Sequence, residues 1–406
     1  MAILLGGLTG LLDLEICMGT CITLGRILEQ MWGFLAVLVP FLFVLTVVVF
    51  IHELGHFLVA RWCGVRVKAF SIGFGREIFG FWDRHGTRWR VAWVPLGGYV
   101  KFMDDENSAS APSREALTRL TEEERAGAFQ TKPLASRAAI VAAGPVANFL
   151  LAIVIFALTF TVVGVHVTAP RVDELVPGGA AEAAGFKPGD LILSIDGSQI
   201  DTFTDMQRIV SGSADRELSF LVDRDGRVLT LKATPARREI SDRFGNKTRQ
   251  GMIGIRRNAA QEDWKYQRYG PIESLGLGVR ETFFIVTRTL SYLSDVVMGR
   301  ESADQLGGPI RIAEVSGQVA SVGFVPLLNL TAVLSVSIGL INLFPIPLLD
   351  GGHLLFYLIE AVRRKPLSDR TQEIGFRIGL AVVLMLMMFA TWNDLGIVRR
   401  WLGVIG

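Results

Sequence analysis

Four long apolar runs restrict this chain to folds that cross a membrane several times. A bilayer-spanning helix needs about 20 consecutive, mostly apolar residues. We predict such helices over residues 31–61, 138–165, 324–362 and 374–396. In the third run, NLFPIPLLDGGH places two prolines and two glycines where the helix must break before it resumes.

Basic residues in the connecting segments predict the orientation of these helices. Lysine and arginine are frequent in segments 62–137 and 363–373, which we therefore expect on the cytoplasmic side. Segment 166–323 then lies outside, although Arg399 and Arg400 in the tail 397–406 count against this topology. The formal net charge of +2 gives no overall basic character that would favour nucleic acid.

The first segment, residues 1–30, has an uncertain role. It is apolar, but Asp13 and Glu15 interrupt it. A weak fifth span, an amphipathic anchor and a later start at Met31 all remain open. No basic stretch precedes the apolar part, so the pattern does not favour a cleavable signal peptide. The cysteines are too few for a disulfide framework: Cys17, Cys21 and Cys63.

A His-Glu-x-x-His motif lies near the cytoplasmic end of the first predicted span. His52 and His56 are one helical turn apart, so both side chains can bind the same metal ion. Glu53 lies beside them as a candidate general base. Ionisable groups are costly inside a bilayer, which favours a functional site. The alternative is a structural role, in which the polar residues pack at the end of the span.

A catalytic zinc site usually has three protein ligands and one open position, so this motif needs another ligand. Asp350 is the candidate, because it lies in the broken helix at the same predicted depth as His52. Its alternative role is to cap the helix that begins there. Asn342 is a candidate donor to the substrate backbone or to the developing oxyanion. The other histidines are interpreted as residues outside the ligand set: His353 in the helix beside the site, and His85 and His166 at the surface.

Three motifs together resemble the site-2 protease family of intramembrane zinc metalloproteases, and most closely its bacterial regulator-of-sigma-E protease type. They are HELGH in the first span, GPVANF at the start of the second and NLFPIPLLDGG at the end of the third. The resemblance extends over nearly all of residues 31–396. It implies one Zn²⁺ per chain, bound by His52, His56 and Asp350, with Glu53 as the catalytic base.

The resemblance also implies roles for residues around this centre. Small residues allow helices to approach closely, so part of the second motif would support the site by packing: Gly144, Pro145 and Asn148. Candidate substrate-binding residues lie in the broken third span and in the segment after the first span: Asn342, Pro345, Pro347, Gly73, Phe74 and Gly75.

The expected fold is a polytopic α-helical membrane protein with about four spans, a membrane-associated β-hairpin and one extracytoplasmic PDZ domain of the α+β class. Segment 65–102 alternates apolar and polar residues, as a hairpin does. Its edge could hold an unwound substrate by strand addition, and the alternative is a cytoplasmic hairpin with no such role.

The sequence AGFKPGDLILSIDG resembles part of a bacterial PDZ domain, which we predict over residues 166–257. Only one copy is found, whereas many relatives of the closest type carry two. The domain could bind a C-terminus or act as a size filter. In the following segment 258–323, residues 274–299 have helical apolar spacing and predict an amphipathic helix on the outer surface.

The implied function is zinc-dependent cleavage of the membrane segment of single-span proteins in a bacterial cytoplasmic membrane. By resemblance, these substrates are anti-sigma factors already trimmed on the outer side, and remnant signal peptides. Two other classes of protein are alternatives. A membrane metal carrier would need ligands at several depths, whereas the candidates here lie at one. An inactive adaptor that binds proteins through a PDZ domain would not need Glu53.

Overall fold

The apolar runs fold into helices that belong to the first of two compact units, which comprises residues 1–152 and 306–406. The computed structural model describes residues 2–104, 121–241, 247–257, 265–303 and 307–401, with the side chains of residues 2–28 outside the description. Helices in or entering this unit are α1 Ala2–Trp62, α2 Glu122–Ala126, α3 Leu134–Leu158, α7 Pro309–Val322, α8 Phe324–Asn342, α9 Asp350–Arg363 and α10 Asp369–Trp401.

In the described part of the chain, four helical stretches are long and apolar enough to span a membrane. They are Met31–Trp62, Leu134–Val163, Phe324–Asn342 and Arg370–Leu395. This agrees with the prediction of about four spans. The second stretch begins earlier than predicted and includes a short π-helix, Thr159–Val163, after α3. In the third, α8 ends at Asn342, so the predicted range 324–362 is two helices separated by a loop.

Helix α1 runs without interruption from Ala2 through the rest of segment 1–30, whose role the sequence leaves open. The side chains of Cys17 and Cys21 lie outside the described residues, and Cys63 is a free thiol after the end of α1.

Helices α1 and α3 approach each other closely where their residues are small, as expected where two backbones come near. A Cβ on Gly55 of α1 would lie 2.3 Å from the Ala143 carbonyl oxygen of α3.

The two strands after α1 are β1 Val67–Trp82 and β2 Arg88–Phe102, which pair as the predicted hairpin segment. Both strands bend, and the first half of β1 lies between two parts of β2. Phe70 pairs with Val100 on one side and with Trp89 on the other. An apolar core of aromatic and branched side chains packs this sheet against α1, and it includes Phe57 and Phe70.

The second unit, residues 153–305, contains the segment in which a PDZ domain is predicted. Its main sheet has the strand order β6-β5-β7-β8, formed by Ser198–Gln199, Leu191–Ile195, Leu218–Arg224 and Arg227–Ala233. Three two-stranded pairs complete the strands: β3 Val165–Val167 with β12 Lys265–Gln267, β4 Glu174–Leu175 with β11 Ile255–Arg256, and β9 Ala236–Ser241 with β10 Lys247–Met252.

Besides the end of α3 and the π-helix, this unit contains the helices α4 Ala180–Ala183, α5 Phe203–Ser211 and α6 Pro271–Val297. The core lies between the main sheet and the short helices, and includes Phe186, Phe220 and Met206. Helix α6 accounts for the helical spacing at 274–299. The predicted single region 258–323 is divided, however, because α7 belongs to the first unit. Asp394 of α10 accepts hydrogen bonds from the backbone N–H groups of Gly308, Ile310 and Arg311 at the start of α7.

A buried ion pair fixes the loop before β5 to the end of β7. Asp190 is fully buried, and its two carboxylate oxygens accept hydrogen bonds from Arg224 at 2.7 and 2.8 Å. The Lys187 N–H donates to the same carboxylate at 2.8 Å. Burial alone would raise the pKa of Asp190, but these hydrogen bonds and the positive charge outweigh it and hold the pKa below its usual value.

We expect the Asp190–Arg224 ion pair to make the free energy of unfolding of the second unit depend on pH in the acid range. A lowered folded-state pKa stabilises the fold above the unfolded pKa of about 3.9, and the contribution is lost as pH falls through the folded value. Asp190→Asn should remove this dependence and lower the midpoint of thermal unfolding by more than about 5 °C. Calorimetry between pH 3 and 7 measures both effects. The matched control is Lys232→Gln, which breaks an exposed pair with Glu217 and should change little.

Candidate active site

The structure brings together the two histidines of the HELGH motif and the aspartate that begins α9. Asp350 Oδ2 lies 3.1 Å from His52 Nε2 and 3.5 Å from His56 Nε2. The two Nε2 atoms are 3.2 Å apart. All three side chains are largely buried, with exposed fractions between 11% and 18%. Asp350, more than 290 positions after the two histidines in the sequence, therefore joins them in one compact cluster.

The cluster fits a tetrahedral metal ion. Zinc bonds of about 2.0–2.1 Å imply ligand–ligand distances of roughly 3.3 Å, and the three observed distances are close to this. Asp350 Oδ2 is buried without a well-aligned hydrogen-bond donor among the described residues. A buried carboxylate oxygen in this state needs a compensating positive charge. Two imidazoles and one carboxylate leave a fourth position open, as a catalytic zinc site requires.

Hydrogen bonds from α3 orient both imidazoles. His56 Nδ1 lies 2.8 Å from the Ile140 carbonyl oxygen, so Nδ1–H donates there and leaves Nε2 free to bind a metal. The fully buried Asn148 side chain lies 3.2 Å from His52 Nδ1. The atom nearest to Nδ1 is the amide nitrogen Nδ2. Metal binding through His52 Nε2 would place the ring proton on Nδ1, and exchange of the amide oxygen and nitrogen would then let Asn148 accept that proton.

Three residues of the GPVANF motif have contacts that support the site. A Cβ on Gly144 would lie 2.2 Å from His56 Nε2, so only glycine leaves room for this ring. A Cβ on Gly339 of α8 would lie 3.1 Å from the carbonyl oxygen of Pro145. Ser335 of α8 donates to the Asn148 carbonyl oxygen at 2.8 Å. These contacts hold α3 between the histidines and α8.

The loop between α8 and α9 places Asp350 in this cluster. A Cβ on Gly351 or Gly352 would lie 2.2 or 2.4 Å from loop carbonyl oxygens, so the two glycines let the loop fold onto the start of α9. Leu348, two residues before the aspartate, has a φ of 111°. Such a backbone conformation is strained for a leucine and is maintained only by surrounding contacts. The NLFPIPLLDGG motif therefore encodes a tightly constrained turn.

Glu53 lies beside the outer edge of β2. The Val100 N–H donates a hydrogen bond to its side chain. A Cβ on Gly98 would lie 2.8 Å from the Ser71 carbonyl oxygen of β1 and 3.1 Å from Glu53 Cγ and Val49 Cγ1 of α1, so this residue is packed closely between the two elements. Sequence reasoning missed Gly98 and Val100, although the LGG at residues 96–98 is a visible interruption of the hairpin pattern.

The predicted substrate-binding residues of the hairpin occupy its bend. Phe74 stacks on Tyr99 with ring centroids 6.1 Å apart, and Gly73 and Gly75 have φ values of 86° and 88°. Within the described residues, no hydrogen bond or ring contact joins these three to the histidine–aspartate cluster. Pro345 and Pro347 lie in the loop before Asp350, and Asn342 is the last residue of α8. Their substrate role stays a prediction, as does that of the hairpin residues.

The other histidines are not part of the cluster. His353 lies in α9 and contacts Phe376 of α10, with ring centroids 5.4 Å apart. His85 is in the turn between β1 and β2, where its N–H donates to Asp83. The side chain of His166 lies outside the described residues.

An ion pair links the beginning of α3 to the helix that carries Asp350. Arg137 Nη2 donates to Glu360 Oε1 at 2.6 Å, and Nη1 lies 3.4 Å from the other oxygen. The guanidinium also lies over the Tyr357 ring at 5.0 Å. Both charged side chains are less than 20% exposed, so solvent screens the pair only in part.

We expect Arg137→Glu or Glu360→Arg to reduce peptidase activity by about tenfold or more, because like charges or an unpaired charge would shift α9 relative to α3. The double exchange should restore most of the loss. Activity per bound zinc, measured on purified enzyme, checks this. Arg377→Gln, which breaks an exposed pair with Glu373, is the control and should leave activity unchanged. Failure of the double exchange to restore activity would contradict a role for the pair.

The chain is similar to known proteins over most of its length. The model of peptidase family M50 matches residues 40–386. A Rhizobium meliloti protein named "Putative zinc metalloprotease" is 52% identical over 355 residues, which are 87% of this chain and 95% of that protein. Metalloprotease MmpA of Caulobacter vibrioides is 42% identical over 387 residues, or 90% and 96% of the two chains.

A solved structure, the PDZ domain of an SdrC-like protein from Listeria monocytogenes, covers 21% of this chain and 82% of its own. Its TM-score of 0.17 and sequence identity of 17% are too low to carry an argument about fold. The family model and the relatives, in contrast, extend over most of the chain. The chain therefore belongs to peptidase family M50, the site-2 protease family, and is a zinc metalloprotease.

Proposed function

We propose that this protein cleaves peptide bonds within the membrane segment of single-span proteins, with His52, His56 and Asp350 as zinc ligands and Glu53 as the general base. The observation that carries the proposal is the cluster of His52, His56 and Asp350, because both histidines lie on an apolar, span-length helix. Ionisable groups in a membrane-spanning helix are costly, so their presence there favours a function within the membrane.

When bound, zinc would act as a Lewis acid toward the scissile carbonyl and lower the pKa of a water molecule. Glu53, on the same helix as both histidines, takes the proton from this water and later delivers it to the leaving amine. The Val100 N–H bond to Glu53 orients its carboxylate. Asn342 donates to the substrate backbone or to the developing oxyanion from the end of α8.

Substrate amides are hidden from a nucleophile while the substrate remains helical. The outer edge of β2 would hold the chain extended if a substrate strand replaced the hydrogen bond that the Val100 N–H donates to Glu53. A substrate segment that pairs with this edge would lie beside the general base. Strand addition of this kind supplies main-chain hydrogen bonds and little sequence specificity.

We infer the location of the protein in the cell from the distribution of its basic residues. The basic segments 62–137 and 363–373 favour the cytoplasmic side, so we infer a cytoplasmic membrane location with the site near its inner face. The PDZ-like second unit would then be periplasmic. Anti-sigma factors trimmed on the outer side, and remnant signal peptides, fit as substrates, and cleavage would release a fragment into the cytoplasm.

The proposal is tested with purified enzyme in nanodiscs and a panel of tagged single-span substrates, some shortened on the outer side. Wild-type enzyme with zinc should cut at least one substrate inside its span, as located by mass spectrometry. Removal of zinc by a chelator should abolish cleavage, and added zinc should restore it. Cleavage only outside the span, or full activity without metal, would contradict intramembrane zinc proteolysis.

A further inference from the structure

A cavity of about 700 Å³ lies between α1 and α7 in the first unit. Its lining comes from residues 33–41 of α1 and residues 309–318 of α7. It lies beside the point where the two helices cross, at which a Cβ on Gly317 would be 2.9 Å from Val37 Cγ2. Cavities that bind small molecules typically measure about 300–1,000 Å³, so this one is large enough for a ligand.

The lining of this cavity is apolar with two exceptions. Among the described residues that line it, only Glu314 and Gln318 have polar side chains. They are one turn apart on α7 and therefore face the same way. The other lining residues are glycine, proline, or aliphatic and aromatic residues such as Phe34 and Leu38. Such a lining favours an amphiphile, which combines hydrocarbon with one polar group, over a polar metabolite.

Two tryptophans indicate the depth of the cavity in the bilayer. Trp32 and Trp62 of α1 are 76% and 88% exposed, and tryptophan is enriched at both membrane–water interfaces. They are 30 residues apart, and a helix of that length spans about 45 Å, the thickness of a bilayer with its headgroups. The crossing at Val37 lies about 7 Å from Trp32 along the axis, where headgroups meet hydrocarbon. The cavity is therefore at the level of the ester groups and upper acyl chains of one leaflet.

Helix α8 separates this cavity from the candidate active site. His52 follows Phe41 by 11 residues, which is three helical turns, so it lies on the same face of α1 about 16 Å farther along. Between them, Val44 and Val48 are buried against Leu327 of α8. A substrate span in the cavity would not reach the zinc ligands along this face. A lipid, in contrast, needs no such access.

We propose that the cavity binds a phospholipid with an ammonium headgroup, of the phosphatidylethanolamine class, from the leaflet at the Trp32 end of α1. Its acyl chains lie against the apolar lining, and its ammonium group donates to the Glu314 carboxylate. Glu314 is the only charged side chain in the described lining, since Arg311 lies against Gly307 outside it. A negative charge there disfavours anionic lipids such as phosphatidylglycerol. The inference concerns lipid binding and does not depend on cleavage within the membrane.

The test is native mass spectrometry of the full-length protein released from nanodiscs. The nanodiscs contain equal amounts of phosphatidylethanolamine and phosphatidylglycerol with the same palmitoyl and oleoyl chains, so that retained lipids differ only in the headgroup. Ala313→Phe fills the cavity, and Glu314→Gln removes its charge while keeping the shape of the side chain. The matched controls are Leu384→Phe and Glu373→Gln, at exposed positions of α10 away from the cavity.

We expect the wild-type protein to retain phosphatidylethanolamine at least about tenfold more than phosphatidylglycerol, as a charge-assisted hydrogen bond would give. Ala313→Phe should lower the retention of both lipids, and Glu314→Gln should remove the preference between them. Both controls should match the wild type. Equal retention of the two lipids by the wild type, or equal lipid content in Ala313→Phe and Leu384→Phe, would overturn the proposal. Displacement of the retained lipid by an added single-span substrate would also overturn it, since the cavity would then belong to the path of the substrate.

Discussion

Glu53→Gln should abolish proteolysis while zinc binding persists. The amide cannot accept a proton from water, and loss of a general base costs about 10²–10⁴-fold in rate. His52, His56 and Asp350 keep their mutual distances of 3.1–3.5 Å, because Glu53 is not part of that cluster. The measurement pairs the cleavage rate of a single-span substrate in nanodiscs with the zinc content of the same preparation by atomic spectrometry.

Glu373→Gln is the control for this change, because Glu373 is an exposed acid that pairs with Arg377 in α10. It should leave rate and zinc content at wild-type values. A Glu53→Gln enzyme that cleaves normally would show that another residue is the base. A variant that loses both zinc and activity would leave Glu53 with a role in metal binding and remove the evidence for proton transfer.

The grouping of His52, His56 and Asp350 could be predicted from the sequence, because short local patterns mark all three residues. A helical turn between His52 and His56 fixes their common direction. The helix-breaking residues around Asp350 mark a polar group at membrane depth, where irregular backbone must be buried in protein or face water. The structure brings all three together, as predicted.

The residues that support the ligands could be predicted only in part. The sequence assigns Asn148 to packing and site support, but it does not indicate the contact of 3.2 Å between the Asn148 amide and His52 Nδ1. The partner of His56 is the Ile140 carbonyl oxygen, a main-chain group that no side-chain pattern can reveal. The approach of Gly98 to Glu53 likewise depends on the register of β2 against β1, which the alternation of apolar residues leaves undetermined.

Long-range contacts explain the main difference in domain organisation. The sequence groups helix α7 with the outer segment because its 14 residues carry no span-length apolar run. Its position depends on Asp394, more than 80 residues later, which accepts hydrogen bonds from the first N–H groups of the helix. A residue on the last predicted span thus replaces the local cap that α7 lacks. No local pattern links these two segments.

Gly144→Ala should nearly abolish activity by removing zinc, although it adds only one methyl group. That carbon would lie 2.2 Å from His56 Nε2 and 2.9 Å from His52 Cε1, so the ligating face of His56 must move. Displaced ligands or their supports typically lower metal affinity by about 10–100-fold, and the bond from His56 to Ile140 prevents an easy compensating rotation. Competition with a zinc chelator measures the affinity. Gly33→Ala in α1 meets no atom within 4 Å and serves as the control for alanine in a spanning helix. If Gly144→Ala bound zinc as tightly as Gly33→Ala, close packing of α3 would not hold His56 in place, and the geometry of the cluster would have to come from Asp350 and the α8–α9 loop instead.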